Sequence, residues 1–145
     1  MSNRWGKGPS WRQVDHTADR GFDVEGPTRR GLFEGAALAL FSVLVDGSRV
    51  EPGNEQPLVL SGVDLSDLWV NYLRELLYLY NGKGFVVHHV EVERMGWKGL
   101  KAVVYGEPFS PERHPVLGEV KAVTYHQAGV ERTASGWRGR FILDV

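Results

Sequence analysis

Apolar residues recur at the helical period in two stretches of this chain and alternate through most of the remainder. In the first stretch Leu32, Phe33, Ala36, Ala37, Leu40, Phe41 and Leu44 form one broad apolar face. Pro27-Thr28 supplies a stop and an N-cap before it, and Asp46-Gly47 is expected to end the helix. In the second stretch Leu65, Leu68, Trp69, Tyr72, Leu73, Leu76, Leu77 and Tyr80 form a face of similar width. Asp64 or Ser66 is the expected cap, and Asn81-Gly82 the expected stop, since both residues tolerate positive φ.

The alternating segments predict strands. Trp11 to Asp15 and Gly21 to Glu25 are short strands around an irregular segment, His16 to Arg20, and Leu58 to Gly62 is a third. After Gly84 the chain becomes rich in Val, Tyr and Trp, with strands expected over 85–94, 100–106, 120–131 and 137–145. Met95 to Gly99 and Thr133 to Gly136 read as hairpin connections, and Pro108 to Pro115 as a loop. Two helices among about seven strands, with the late strands joined by hairpins, predict an α+β fold: two amphipathic helices packed on a largely antiparallel sheet. Residues 1–10 are polar with Gly and Pro and are expected to be flexible, leaving 11–145 as a single domain.

Composition narrows the chemistry. The absence of cysteine excludes disulfides, thiolate metal sites and cysteine nucleophiles. Formal net charge is -1, from 17 Lys+Arg against 18 Asp+Glu, so the chain lacks the basic excess of a self-sufficient nucleic-acid binder. Any nucleic-acid contact is therefore expected through a partner. The longest apolar run, Ala36 to Val45, is far below the ~20 residues that span a bilayer, and the first nine residues have no signal-peptide core. A cytoplasmic location is the expectation.

Three segments hold candidate chemistry. In the last strand, alternation places Asp144 on the more polar side with Arg138 and Arg140. If the chain ends at Val145, the Asp144 carboxylate, its carbonyl and a terminal carboxylate lie within a few ångströms. Such packed oxygens either are solvated or share a cation. Asp15-His16-Thr17-Ala18-Asp19 offers hard oxygen ligands of the kind Ca²⁺ or Mg²⁺ takes, or else turn and cap residues. Lys121, on the face of Val123 and Tyr125, is either functional or a snorkelling edge residue. Of the remaining histidines, one of His88 and His89 is expected to point inward, and His114 to lie in a surface loop.

Asp15-His16-Thr17-Ala18-Asp19, the helix segment Gly35 to Phe41, and Glu119 to His126 together resemble the archease family. So do Glu75-Leu76-Leu77-Tyr78-Leu79 and the ending Leu143-Asp144-Val145, and the likeness runs from Trp11 to Val145. It implies an accessory protein, not itself an enzyme, for the RtcB-type tRNA ligase, which joins RNA ends using GTP. That role is to promote ligase guanylylation and multiple turnover in tRNA splicing. By the same resemblance the metal ligands are Asp19, Asp144 and Val145, the last through backbone oxygen, and Lys121 serves ligase activation. Asp15 and His16 become supporting residues around the ion. Oxygen ligands without cysteine favour a hard divalent cation over zinc and leave open which one; with the resemblance, Ca²⁺ is the first expectation, ahead of Mg²⁺ or Mn²⁺. Two departures from the family pattern stand out: Arg20, adjoining the metal site, replaces an apolar residue, and Arg29-Arg30-Gly31 stands where glutamates are usual. The alternatives are a metal-dependent hydrolase using Asp15 or His16 as base, a general chaperone or modulator of RNA-modifying enzymes, and an RNA-binding module, against which the charge speaks.

Overall fold

A computed structural model describes residues 8–15 and 19–145, with only the backbone of Asp15. The chain runs β1 (Ser10–Asp15), β2 (Asp19–Gly26), α1 (Arg29–Ser42), β3 (Asn54–Ser61), α2 (Leu65–Asn81), β4 (Phe85–Met95), β5 (Gly99–Pro108), β6 (Ala122–Thr133) and β7 (Gly136–Asp144). The α+β class is borne out. The strands divide between two antiparallel sheets, one ordered β1-β2-β7-β6 and the other β3-β5-β4. The helices connect these sheets: α1 lies against β4 and β2, and α2 against β6 and β4.

Aromatic residues fill the space between helices and sheets. Phe33 meets Trp69 edge to face at 5.2 Å, and Phe22 stacks on Phe141 at the same separation. Both buried polar handles are satisfied. Tyr72 donates its hydroxyl to the Phe33 carbonyl at 2.7 Å, and the Trp69 indole N–H donates to the Arg140 carbonyl at 2.9 Å. The second bond ties α2 to the middle of β7.

Several boundaries differ from the sequence reading. Thr28 caps α1 as expected, accepting from Gly31 N–H, but the helix closes at Ser42. Leu44 and Val45 stay buried beyond the end of the helix, both donating back to the Phe41 carbonyl, and Val45 bridges to Val116. Asp46 does not end α1; its carboxylate caps the 3-10 turn Gly47–Arg49 by accepting from Ser48 N–H. Asp64, rather than Ser66, caps α2. Gly82 ends that helix with φ of -94°, and positive φ falls at Gly84 instead (63°). Strand β3 is longer than expected and contains Pro57, which is tolerated because β3 is an edge. Pro9 is buried and Ser10 opens β1, so the folded unit includes part of the segment expected to be flexible.

Candidate functional site

Residues directly opposite in an antiparallel pair project from the same face. In the β2–β7 register Asp19 faces Asp144, Gly21 faces Ile142, Asp23 faces Arg140 and Glu25 faces Arg138. These four pairs share the face away from Phe22, Val24, Phe141 and Leu143, which are core residues. Two of the four are acid–base pairs. Asp19–Asp144 is the like-charge pair among them, at the end of the ladder where β2 begins and β7 finishes.

This geometry revises the sequence reading of Asp19, which is a strand residue and not part of the irregular segment. It also brings together two residues 125 positions apart. Among the described residues neither carboxylate has a side-chain hydrogen bond or ion pair. Cross-strand partners carry their Cβ atoms about 5 Å apart, and like charges there repel.

The third strand extends the same row. Ala122 of β6 is the register partner of Asp144, and the Lys121 backbone N–H donates to the Asp144 carbonyl at 2.7 Å. That carbonyl is therefore already engaged. Helix α2 fixes the start of β6 from below, with Asn81 donating to the Val120 carbonyl at 2.9 Å and Arg74 to the Val123 carbonyl at 3.0 Å. Lys121 itself is exposed and precedes β6 rather than lying within it. The alternation expected for 121–127 holds only as far as Thr124. Three extra residues then intervene between Thr124, opposite Ile142, and Gly129, opposite Arg140, and Gln127 adopts φ of 54°.

Arg20 is the register partner of Leu143, so alternation turns it to the face opposite Asp19 and Asp144. It does not share the acidic side. His16 and the Asp15 side chain lie outside the described residues.

Farther along the open face lies an arrangement that the sequence reading missed. Asp23, nearly buried, receives two hydrogen bonds from Arg140, Nε at 2.6 Å and an Nη at 2.9 Å, with Arg12 at 3.5 Å. The Arg140 hydrogen bond holds the Asp23 carboxyl below the usual range, against the opposing effect of burial. These residues line one side of an open cleft of about 500 Å³ whose far wall is the bulged part of β6, Gln127 to Glu131. Alternation alone revealed which side each residue faces; it could not reveal the register.

Among the described residues, His114 and His89 are structural. His114, expected on a surface loop, is fully buried. Its Nδ1 accepts from Ser110 N–H at 2.9 Å, so Nε2 carries the proton and donates to Glu107 at 2.8 Å. Burial raises the Glu107 pKa, but the Glu51 N–H, His114 and Arg113 outweigh it, and the net shift is downward. His89 is buried against Tyr105 and bonded to Glu91 and His88, which is the inward-pointing member expected of the pair.

A family model described as the Archease protein family (MTH1598/TM1083) matches residues 11–145. The chain belongs to the archease family. Protein archease of Methanosarcina mazei is 38% identical over 143 residues, covering 96% of this chain and 98% of that protein. Protein archease of Pyrococcus furiosus is 39% identical over 139 residues, covering 93% and 98%. The solution structure of Methanobacterium thermoautotrophicum protein 1598 superposes with a TM-score of 0.74 at 30% identity, covering 96% of this chain and 99% of the other. The archease fold is thus common to this chain and that structure, two helices on antiparallel sheets.

Among the described residues no three His, Asp or Glu side chains converge as a ready-made metal cluster. A hard cation at the Asp19–Asp144 pair would draw two carboxylates from the protein and fill its remaining positions from backbone oxygen and water. That donor chemistry fits Ca²⁺, which accepts six to eight oxygens in flexible geometry.

Proposed function

We propose that this archease activates a GTP-dependent tRNA-splicing ligase of the RtcB type, promoting its guanylylation and its multiple turnover. In this reading Asp19, Asp144 and the backbone oxygen of Val145 hold a divalent cation, Ca²⁺ before Mg²⁺ or Mn²⁺, and Lys121 contributes to activation. The protein is a binding partner and not the catalyst. In this reading the tRNA substrate is held by the ligase, in the cytoplasm, and no helix of the described chain is long and apolar enough to cross a membrane.

The observation that carries this reading is the like-charge pair. The neighbouring cross-strand pairs on the open face, Asp23–Arg140 and Glu25–Arg138, balance acid with base, whereas Asp19–Asp144 sets acid against acid. A bound cation would turn that repulsion into a shared interaction. When bound, it would supply positive charge for phosphate oxygens as charge develops during nucleotidyl transfer. The chain's own contribution is to orient the two carboxylates by register and to hold Lys121 next to them through the Asp144 carbonyl. An accessory protein accelerates the ligase only by favouring its reactive form over its resting form.

The test is guanylylation of the cognate ligase by GTP, with and without this chain. Wild type should raise both the rate and the number of turnovers. Asp19→Asn, Asp144→Asn and Lys121→Ala should each lose most of that stimulation while retaining native circular dichroism. Full stimulation by both aspartate variants would refute the cation's role, and no stimulation by wild type would refute the activator reading.

A further inference from the structure

The end of the molecule opposite the aspartate pair carries an exposed tryptophan backed by arginine. From Trp137 to Asp144 along β7 is about 24 Å, at ~3.4 Å per residue. At the Trp137 end three segments meet: the start of α1, the β4–β5 hairpin and the β6–β7 hairpin. The Arg29 guanidinium lies 3.7 Å from the Trp97 ring centre and 6.0 Å from that of Trp137. Arg29 also donates to the Gly96 carbonyl at 2.6 Å, and Arg30 to the Glu93 carbonyl at 3.0 Å, which pins both arginines to the hairpin. Arg132 lies 5.6 Å from the other hairpin's Trp137, and the two tryptophan rings sit 6.0 Å apart.

Trp97 is 60% exposed although Arg29 covers one of its faces. An aromatic ring of that size left open to water needs a reason. The charge around it is unlike that of the chain as a whole. Segments 28–30, 93–99 and 132–137 hold Arg29, Arg30, Arg94, Lys98 and Arg132 against the single carboxylate of Glu93, in a chain of formal charge -1.

We infer that this end binds single-stranded RNA directly, with an unpaired base stacked on the open face of Trp97 and the flanking phosphates met by Lys98, Arg132 and Arg94. The chemistry selects this occupant. A base offers a π-face to a tryptophan made rigid from behind, and stacking of this kind tolerates any sequence. Cations beside the ring neutralise the backbone. An acidic peptide would meet the same cations but offers no flat π-face to the open side of Trp97. A duplex keeps its bases stacked on one another and presents none to Trp97. The inference is independent of the activator role and goes against the expectation, drawn from net charge, that RNA is met only through a partner, because a formal charge of -1 overall does not describe this end. The separation of the two ends leaves the aspartate pair free while RNA is held.

The experiment is fluorescence anisotropy of a labelled ten-nucleotide oligouridylate titrated with the full chain at about 50 mM salt, with a labelled RNA duplex and labelled polyglutamate as comparisons. Binding of the single strand is expected to weaken about twentyfold by ~200 mM salt, as roughly three phosphate contacts would give. Trp97→Ala should weaken it about tenfold and Trp97→Phe much less, since a smaller ring still stacks. Lys98→Glu and Arg132→Glu leave the ring in place and should each weaken binding several-fold. Melting temperatures accompany every variant, and the charge reversals decide the matter should Trp97→Ala misfold. No binding by wild type, equal binding of duplex or polyglutamate, or undiminished binding by Trp97→Ala and both charge reversals would each overturn the inference.

Discussion

Asp23 and Arg140 illustrate how single residues on the open face are fixed by charge. Asp23 is nearly buried, so its carboxylate is tolerated because Arg140 bonds both oxygens. Its folded pKa lies below the ordinary value of 3.8, chiefly through that hydrogen bond. A depressed carboxylate pKa contributes stability that is complete above the unfolded pKa and lost as pH falls through the folded pKa. Arg140→Met should therefore cost about 2 kcal/mol at neutral pH, a figure for charged hydrogen bonds at a partly solvated site. It should also flatten the loss of stability on acidification below about pH 4. Urea denaturation at several pH values checks both, and an unchanged acid limb would show that Asp23 does not couple to folding in this way. The types of these residues and their parity were legible in the sequence. Their pairing was not, because alternation assigns a side to each residue and leaves the register open.

At the scale of elements, the two amphipathic helices were plain from spacing, while their ends and the strand edges were decided by neighbours. Asp46 looks like a helix terminator in sequence but serves as the cap of the turn that follows. Pro57 suggests a break, yet β3 passes through it because an edge strand can forgo one ladder bond. Gly106 shows the same dependence on packing. A Cβ there would stand 2.0 Å from the Val86 carbonyl oxygen and 2.8 Å from the Phe85 ring, so β4 and β5 would have to separate locally. Gly106→Ala should destabilise the chain by about 2–3 kcal/mol, in the range for overpacking. Gly53→Ala, where nothing lies within 4 Å, should be close to neutral. The two midpoints in urea give the comparison, and similar values would mean that the strands yield more easily than packed backbone should.

At the scale of the whole molecule, β2 and β7 bring Asp19 from early in the chain against Asp144 near its end. An ion shared by these residues would bind the folded chain and not the unfolded one, and so would raise its stability by mass action. With Ca²⁺ at about 100 times its Kd the gain is about 2.7 kcal/mol, or roughly 5–10 °C in Tm for a domain of this size. Asp19→Asn should melt at or slightly above wild type in chelator, because it removes repulsion, and should not respond to Ca²⁺. Calorimetric scans with EDTA and with Ca²⁺ separate these effects. Equal shifts in both proteins would exclude the aspartate pair as the binding site.

The sequence by itself determined the elements, the α+β class, the family likeness and the candidate residues Asp19, Asp144 and Lys121, because periodicity and short motifs are local properties. Only the tertiary structure decided that the strands form two sheets, that Asp19 faces Asp144, that Arg20 turns away from them, and that His114 is buried on Glu107. Each of these depends on register and packing between segments far apart in the chain, and no local pattern encodes which residue a strand will find opposite it.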